Sequence, residues 1–459
     1  MFLETVRTEG LAQRSYILGA AGEAAVIDPR RDVEIYLDIA YAKGARITRV
    51  FETHRNEDFV VGSLPLAEIT GATIHHGKAL PFGYGETVTD GDKFQMGNLH
   101  LRILQTPGHT DESISIAIID ADFGEEAVGV FTGDALFIGD VGRTDFFPDR
   151  AREVAGLLYD SIFEKLLPLG PQTILYPAHG AGSVCGSGMA EREFSTLGYE
   201  RKNNPALQVS GKEAFIQRKL NETHHQPPYF RKMEQFNLEG PPMPASLARP
   251  RPYDHEAFAR FLEEGGQVLD ARGPEAFAGA YVPGSLAMPL DMIPAYAGWF
   301  LDYNRDVALV VDRFDDVEPA IRALFRLGFD RVAGYLDGGL NEWETAGKPY
   351  GAIPAIYAGD LKARMDRGES FTLLDVRKSN EFAAGHVRGA THLFLGDLPD
   401  RLEEVPKDRP VTTFCGSGRR AIIAASILKQ NGFEQVEDCL GSMAACQAIG
   451  CETVSESDI

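Results

Sequence analysis

The residues best equipped for chemistry in this chain are histidines and aspartates that each follow an apolar run. His54 and Asp58 stand in ETHRNEDF directly after residues 47–51, His109 in TPGHTDES, Asp134 in FTGDALFIGDVGRTDF and His179 in YPAHG. Imidazole and carboxylate are ligands for divalent metals. A set of two histidines and one carboxylate suits ferrous iron with open positions, and catalytic zinc also accepts it. A second centre lies far downstream in VTTFCGSGRRAIIAASIL, where an apolar run ends at Cys415 and a Gly-rich loop leads into an apolar helix expected from near Ala421. Loop amides and the helix N-terminus, with Arg419 and Arg420, would stabilise a thiolate and an anionic donor beside it. Such a site suits a cysteine that accepts and passes on a sulfur atom.

Groups placed this way need rigid strands behind them. The runs AAVIDPR, RITRVFETH, LRILQTPGH, AVGVFTGD and TILYPAHG each end in a turn carrying His or Asp, and helical spacing such as Val33, Leu37, Ala40 and Tyr41 lies between them. Pro-rich stretches at 240–252 and 347–359 divide the chain, and domains are expected at 1–245, 246–352 and 353–459. The two small parts repeat one another. QVLDARGPEAFAGAYVPGSL matches TLLDVRKSNEFAAGHVRGAT with Asp270 and Asp375 in register, and each copy alternates strands and helices as a small parallel-sheet domain does. In the first copy, ALVVDRFDDVEPAIRALF sets Asp312 against Cys415. A carboxylate cannot carry a persulfide, so this copy is expected to be inactive.

Composition narrows the partners. The 459 residues carry 45 Lys+Arg against 67 Asp+Glu, a net charge of −22 that repels nucleic acid and anionic membrane and leaves a small diffusible substrate. No apolar stretch reaches the ~18 residues of a membrane span, and MFLETVRTEG lacks a basic region before an apolar core, so a cytoplasmic protein is expected. Five cysteines, an odd number clustered late, read as thiols rather than a disulfide framework. Cys185, in HGAGSVCGSG, stands on a Gly-rich loop that could approach a metal and touch substrate sulfur, or be an inert loop thiol. Cys446 falls where the first copy has Trp343 and reads as packing, and Cys439 and Cys451 read as structural. Arg201, in YERKNNP, could pair a substrate carboxylate or phosphate or simply be exposed; His75-His76 and His224-His225 are expected at the surface.

The strings ETHxxxxDF, TPGHTDES, TGDALFIGDVGRTDF and YPAHGAGSVCG resemble the persulfide dioxygenase branch of the metallo-β-lactamase fold, and the two repeats resemble rhodanese domains. Their order is similar to that of bacterial persulfide dioxygenase–rhodanese fusion proteins across nearly the whole chain, GDVGRTDF and CGSGRR being the most specific segments. The resemblance implies a multidomain α/β protein, a metallo-β-lactamase αββα sandwich followed by an inactive and an active rhodanese-like α/β domain. Two-metal members of that superfamily carry a H-x-H-x-D-H turn. Here Asn56 and Phe59 replace its second and third histidines, so one metal is expected: a single Fe(II) per chain on His54, His109 and Asp134. Asp58 and His179 become hydrogen-bonding partners behind the ligands, and Arg143 and Asp145 become candidates for orienting Asp134 or the substrate.

The implied reaction is oxidation of a low-molecular-weight thiol persulfide by O2 to sulfite. Cys415 then exchanges sulfane sulfur between persulfide, sulfite and thiosulfate, and the outcome is sulfide detoxification. A homo-oligomer is a further implication of the family. Two alternatives stay open: a glyoxalase II-like thioester hydrolase, which normally needs the second metal, and a sulfur carrier with an inactive first domain that works through Cys415.

Overall fold

Strands whose alternate residues are apolar on both faces build the first part of the molecule, described in a computed structural model that covers residues 1–186, 188–243 and 247–455. Strands β1 (Phe2–Thr8), β2 (Gln13–Ala20), β3 (Glu23–Ile27), β4 (Arg46–Phe51), β5 (Thr73–Gly77) and β6 (Glu86–Val88) form one sheet in that order, parallel from β3 onward. The second sheet runs β12-β11-β10-β9-β8-β7, from β7 (Lys93–Met96), β8 (Leu99–Gln105), β9 (Ile114–Asp120), β10 (Ala127–Gly133), β11 (Ile174–Pro177) and β12 (Ser195–Thr196). Side chains alternate along a strand with a period of two, so each strand can feed two layers. Tyr16, Leu18, Ala25 and Ile27 meet Leu101, Ile103, Ile116 and Phe131 between the sheets. Ile17, Val26 and Val50 face outward under Tyr36 and Ala40 of helix Glu34–Ala42 and Leu66 of helix Ser63–Thr70. Val130 and Leu175 face the other way, under Leu158 of helix Ala151–Asp160 and Phe215 of helix Lys212–Leu220. The result is an αββα sandwich.

Topology gathers the chemistry at one end. Both β8 and β10 run antiparallel to β9, and β11 runs parallel to β10, so the C-terminal ends of β8, β10 and β11 lie together. His109, Asp134 and His179 follow those ends.

The pair His75-His76 departs from expectation. Both lie buried on β5, His75 with its ring centroid 5.1 Å from Phe51 and 4.6 Å from Phe94, and His76 stacked 4.0 Å from Phe82. The flat faces of imidazole pack as apolar surface, and the Tyr84 carbonyl lies 2.7 Å from His76 Nε2. His224 and His225 are partly buried rather than exposed.

The chain separates into two compact units, Met1–Ala245 with Phe325–Gly328 and Ser246–Leu324 with Phe329–Ile459. The border expected between 245 and 246 falls on residues 244–246, outside the described residues. The second unit holds two five-stranded parallel sheets of one topology. The first comprises β13 (Arg251–Tyr253), β14 (Gln267–Asp270), β15 (Leu286–Ala287), β16 (Val307–Val310) and β17 (Val332–Leu336), in the order β13-β17-β16-β14-β15. The second comprises β18 (Ala355–Tyr357), β19 (Thr372–Asp375), β21 (Thr391–His392), β22 (Val411–Phe414) and β23 (Val436–Leu440), in the order β18-β23-β22-β19-β21. Short β20 (His386–Val387) pairs with β24 (Thr453–Val454).

The ladders correct one alignment of the repeats. Asp270 pairs with Val310 and Asp375 with Phe414, so Val311, not Asp312, stands at the level of Cys415. The first copy has one more residue between its paired strand ends, and hydrogen-bond register, not the run of charges, decides which residues correspond.

Candidate metal centre

The turn after β4 is built so that His54 presents one particular nitrogen. The Thr53 amide and hydroxyl each donate to Asp28, both at 2.7 Å. With its hydrogen committed there, the hydroxyl oxygen receives the His54 Nδ1 hydrogen at 2.9 Å. Nε2 therefore keeps its lone pair and faces the site. Gly133, at the end of β10, sits at φ 52°, and a Cβ there would lie 2.6 Å from Thr53 Oγ1. Only glycine lets the two strand ends come this close. His109 is set the same way, because its Nδ1 lies 3.0 Å from the Arg143 carbonyl, to which it can only donate.

Asp134 completes the constellation. Its Oδ2 is 3.8 Å from His54 Nε2 and 3.5 Å from His109 Nε2, and the ligand atoms of all three residues lie within 4.8 Å of one another. All three residues are buried, and these three atoms have no hydrogen-bond partner. Converging lone pairs without a donor cost free energy unless a cation lies among them. The donor set thus fits a divalent metal. Burial lowers the His54 pKa to about 3, which keeps it a neutral ligand. Burial also draws His109 down, but the carboxylates of Glu57 and Asp134 outweigh it and raise its pKa to about 9. A metal ion would displace that proton.

His179 stands behind Asp134. Its Nδ1 is 2.8 Å from Asp134 Oδ1 and its Nε2 is 2.9 Å from Asp58 Oδ2. Burial opposes its charge, yet Asp134 and the neighbouring anionic groups hold its pKa well above the usual range. A doubly bonded imidazolium offers no lone pair; it holds Asp134 so that Oδ2 turns to the histidines. Cys185 is fully buried and joins Asp58 and His179 in a second group of possible ligands. Burial pushes its thiol up, so it stays protonated. Phe59 is core, and Asn56 turns its amide to the His54 carbonyl at 3.3 Å.

In the second unit, Cys415 follows β22 and is almost wholly buried. The Gly418 amide donates to its Sγ at 3.1 Å, and helix Arg419–Gln430 begins at the next residue. Arg420 is bidentate to Glu381 at 2.6 and 2.8 Å, and exposed Arg419 pairs with Asp291 of the neighbouring copy. Neither arginine is an isolated cation.

Known proteins match both parts. Residues 8–179 fit the metallo-beta-lactamase superfamily model, and residues 254–346 and 357–448 each fit the rhodanese-like domain model. A crystal structure of a metallo-beta-lactamase from Staphylococcus aureus subsp. aureus COL superposes with a TM-score of 0.66 at 30% identity, covering 73% of this chain and 98% of that one. The mitochondrial persulfide dioxygenase ETHE1 of Bos taurus is 30% identical over 207 residues, 43% of this chain and 73% of the relative, and the Homo sapiens enzyme matches to the same extent. The chain belongs to the persulfide dioxygenase family. It extends that family's metallo-β-lactamase domain with two rhodanese-like domains.

Membership places the chain in sulfur metabolism and implies a bound metal and small sulfur compounds as substrates. Among the described residues, no helix is long and apolar enough to cross a membrane.

Within this persulfide dioxygenase domain, Arg143 is fully buried and its side chain is engaged. It is bidentate to Asp145 at 2.7 and 2.6 Å, donates to the carbonyls of Val184 and His225, both at 3.3 Å, and lies 4.8 Å over the Phe146 ring. What it orients is His109, through its own carbonyl. Arg201 is exposed on helix Leu197–Asn203. Sequence reasoning passed over Glu57, whose Oε1 is 3.0 Å from His109 Nε2. The signal was a third acid in ETHRNEDF, at a position the H-x-H-x-D-H pattern leaves unspecified.

Proposed function

We propose that the first domain oxidises the terminal sulfur of a low-molecular-weight thiol persulfide with O2, and that water supplies the third oxygen of the sulfite as the free thiol and two protons are released. One ferrous iron per chain, on His54, His109 and Asp134, is the cofactor. Domains 1–245, 246–352 and 353–459 act as dioxygenase, inactive rhodanese-like domain and rhodanese, and Cys415 exchanges sulfane sulfur between persulfide, sulfite and thiosulfate. The setting is cytoplasmic sulfide detoxification.

The observation that carries this reading is the trio of unpartnered buried atoms, His54 Nε2, His109 Nε2 and Asp134 Oδ2, beside a His179 with both nitrogens engaged. That is a set for one metal, whereas a two-metal hydrolase would need His179 as a ligand. Ferrous iron held by these residues would supply the redox chemistry that lets a persulfide sulfur react with O2. Thr53, Asp28 and the Arg143 carbonyl hold the two imidazoles in the ligating tautomer, and His179 fixes the carboxylate. Arg143 and Asp145 act through His109 and the loops they tie, not by touching sulfur. At Cys415, the Gly418 amide donates to the sulfur at the start of the helix that follows, the position from which a sulfur-accepting cysteine works. One chain with both activities raises the local concentration of each product at the next site.

The test is O2 consumption on adding glutathione persulfide to iron-loaded protein, with sulfite and thiosulfate assayed in the same vessel. Stoichiometric uptake with sulfite release is expected. If iron is bound and the glutathione, cysteine and coenzyme A persulfides all give no uptake, the dioxygenase reading fails. Hydrolysis of S-lactoylglutathione by a zinc form would then favour the hydrolase.

A further inference from the structure

We propose that Glu57 is a fourth protein ligand of the metal, which makes the centre of this chain a two-histidine, two-carboxylate site. This rests on the metal-binding reading above and goes beyond its three ligands.

Glu57 is 1% exposed; its Oε1 has the His109 imidazole beside it, and its Oε2 has no hydrogen-bond partner. Desolvating a carboxylate is costly, so a group placed this way calls for a cation. Its Oε1 lies 3.0 Å from His109 Nε2, the same atom that faces Asp134 Oδ2 at 3.5 Å. In the ligating tautomer, the Nδ1 hydrogen of His109 goes to the Arg143 carbonyl, so Nε2 brings a lone pair. A lone pair and a carboxylate oxygen at that separation repel each other unless a proton or a metal ion is shared by them, and a metal on Nε2 takes the place of the proton.

The backbone holds Glu57 in place. Buried Asn237 donates from Nδ2 to the carbonyls of Asn56 at 2.6 Å and Phe59 at 2.7 Å, and its Oδ1 receives the Val61 amide at 3.0 Å. The turn is stapled on both sides of Glu57, whose side chain reaches His109. A second anionic oxygen leaves fewer positions for exogenous ligands and favours hard divalent ions such as ferrous iron or manganese over softer ones.

Wild type, Glu57→Gln and Glu57→Asp are reconstituted anaerobically with ferrous iron and desalted. Iron is then counted by mass spectrometry, its affinity measured by chelator competition, and its environment read from the EPR spectrum of the nitric oxide adduct. Glu57→Gln, isosteric and checked for folding by circular dichroism, is expected to lose affinity by at least about tenfold and to change the spectrum. Glu57→Asp keeps the charge but withdraws the oxygen by one methylene; it should fall between the two and serves if the Gln variant fails to fold. Wild-type affinity and spectrum in the variants, with one iron in the wild type, would overturn the role of Glu57 alone. A wild type that retains no iron would overturn it together with the metal-binding reading.

Discussion

Asp375 accepts from Arg377 Nη2 at 2.6 Å in the last domain, and Asp270 accepts from Arg272 Nη2 at 2.6 Å in the one before it. Both guanidinium groups reach on to a carbonyl eight residues along the chain, Gly385 at 2.9 Å and Ala280 at 2.8 Å. The sheets have the same order, and the two copies part at the next strand end. After Phe414 come Cys415 and the Gly-Ser-Gly loop; after Val310 come Val311 and then Asp312, Arg313, Phe314, Asp315 and Asp316. One loop turns an amide to a sulfur, while the other carries three carboxylates where an anionic donor would have to sit. The buried ion pair belongs to the scaffold, which must neutralise it whatever the domain does, and the chemistry belongs to the loop.

The largest effect expected from this contrast is at Cys415. Cys415→Ser should abolish sulfur transfer from thiosulfate while O2 uptake with a persulfide continues; loss of both together would sink the two-site account. Next come the scaffold pairs. Asp375→Asn and Asp270→Asn each leave a buried guanidinium uncompensated, and each should cost roughly 3–5 kcal/mol in denaturant unfolding. A large loss in one copy and none in the other would show that the pair is not a shared scaffold element.

A smaller effect depends on pH. Burial raises the Asp438 carboxyl from 3.8 to about 7. Its counterpart in the first copy is Gly334, since Asp438 pairs with Ala355 as Gly334 does with Arg251. The folded form holds a proton that the unfolded chain has released, so this contribution is complete below pH about 4 and is lost as pH rises to about 7. Asp438→Asn should flatten unfolding stability across that window, and an unchanged slope would remove Asp438 as its cause. The smallest expected effect is that of Val311→Cys in the Cys415→Ser background. It should restore no measurable sulfur transfer, because the loop amides are missing; appreciable activity would mean that the thiol matters more than its loop.

Legibility differed from place to place for physical reasons. His54, His109, Asp134 and His179 stood out because each follows an apolar run, and the structure brings the first three within 4.8 Å of one another. Glu57 did not stand out, since adjacent carboxylates in one turn differ only in where their side chains point. His75 and His76 looked like surface residues by polarity, but a strand covered on both faces buries whatever it carries. Asp312 looked like the partner of Cys415 because charge is conspicuous in a string, whereas register is set by backbone pairing.

Local pattern therefore determined the residue types available for chemistry, the alternation of strands and helices, the duplication and the loss of the thiol from the first copy. These depend on spacing of a few residues, which the chain states outright. Only the tertiary structure decided which nitrogen of each histidine is free, that His179 bonds two carboxylates, that the Arg143 carbonyl meets His109, and that Glu57 lies against His109. Those properties depend on contacts between residues far apart in the chain, as Asp28 is from Thr53, held at distances of about 3 Å.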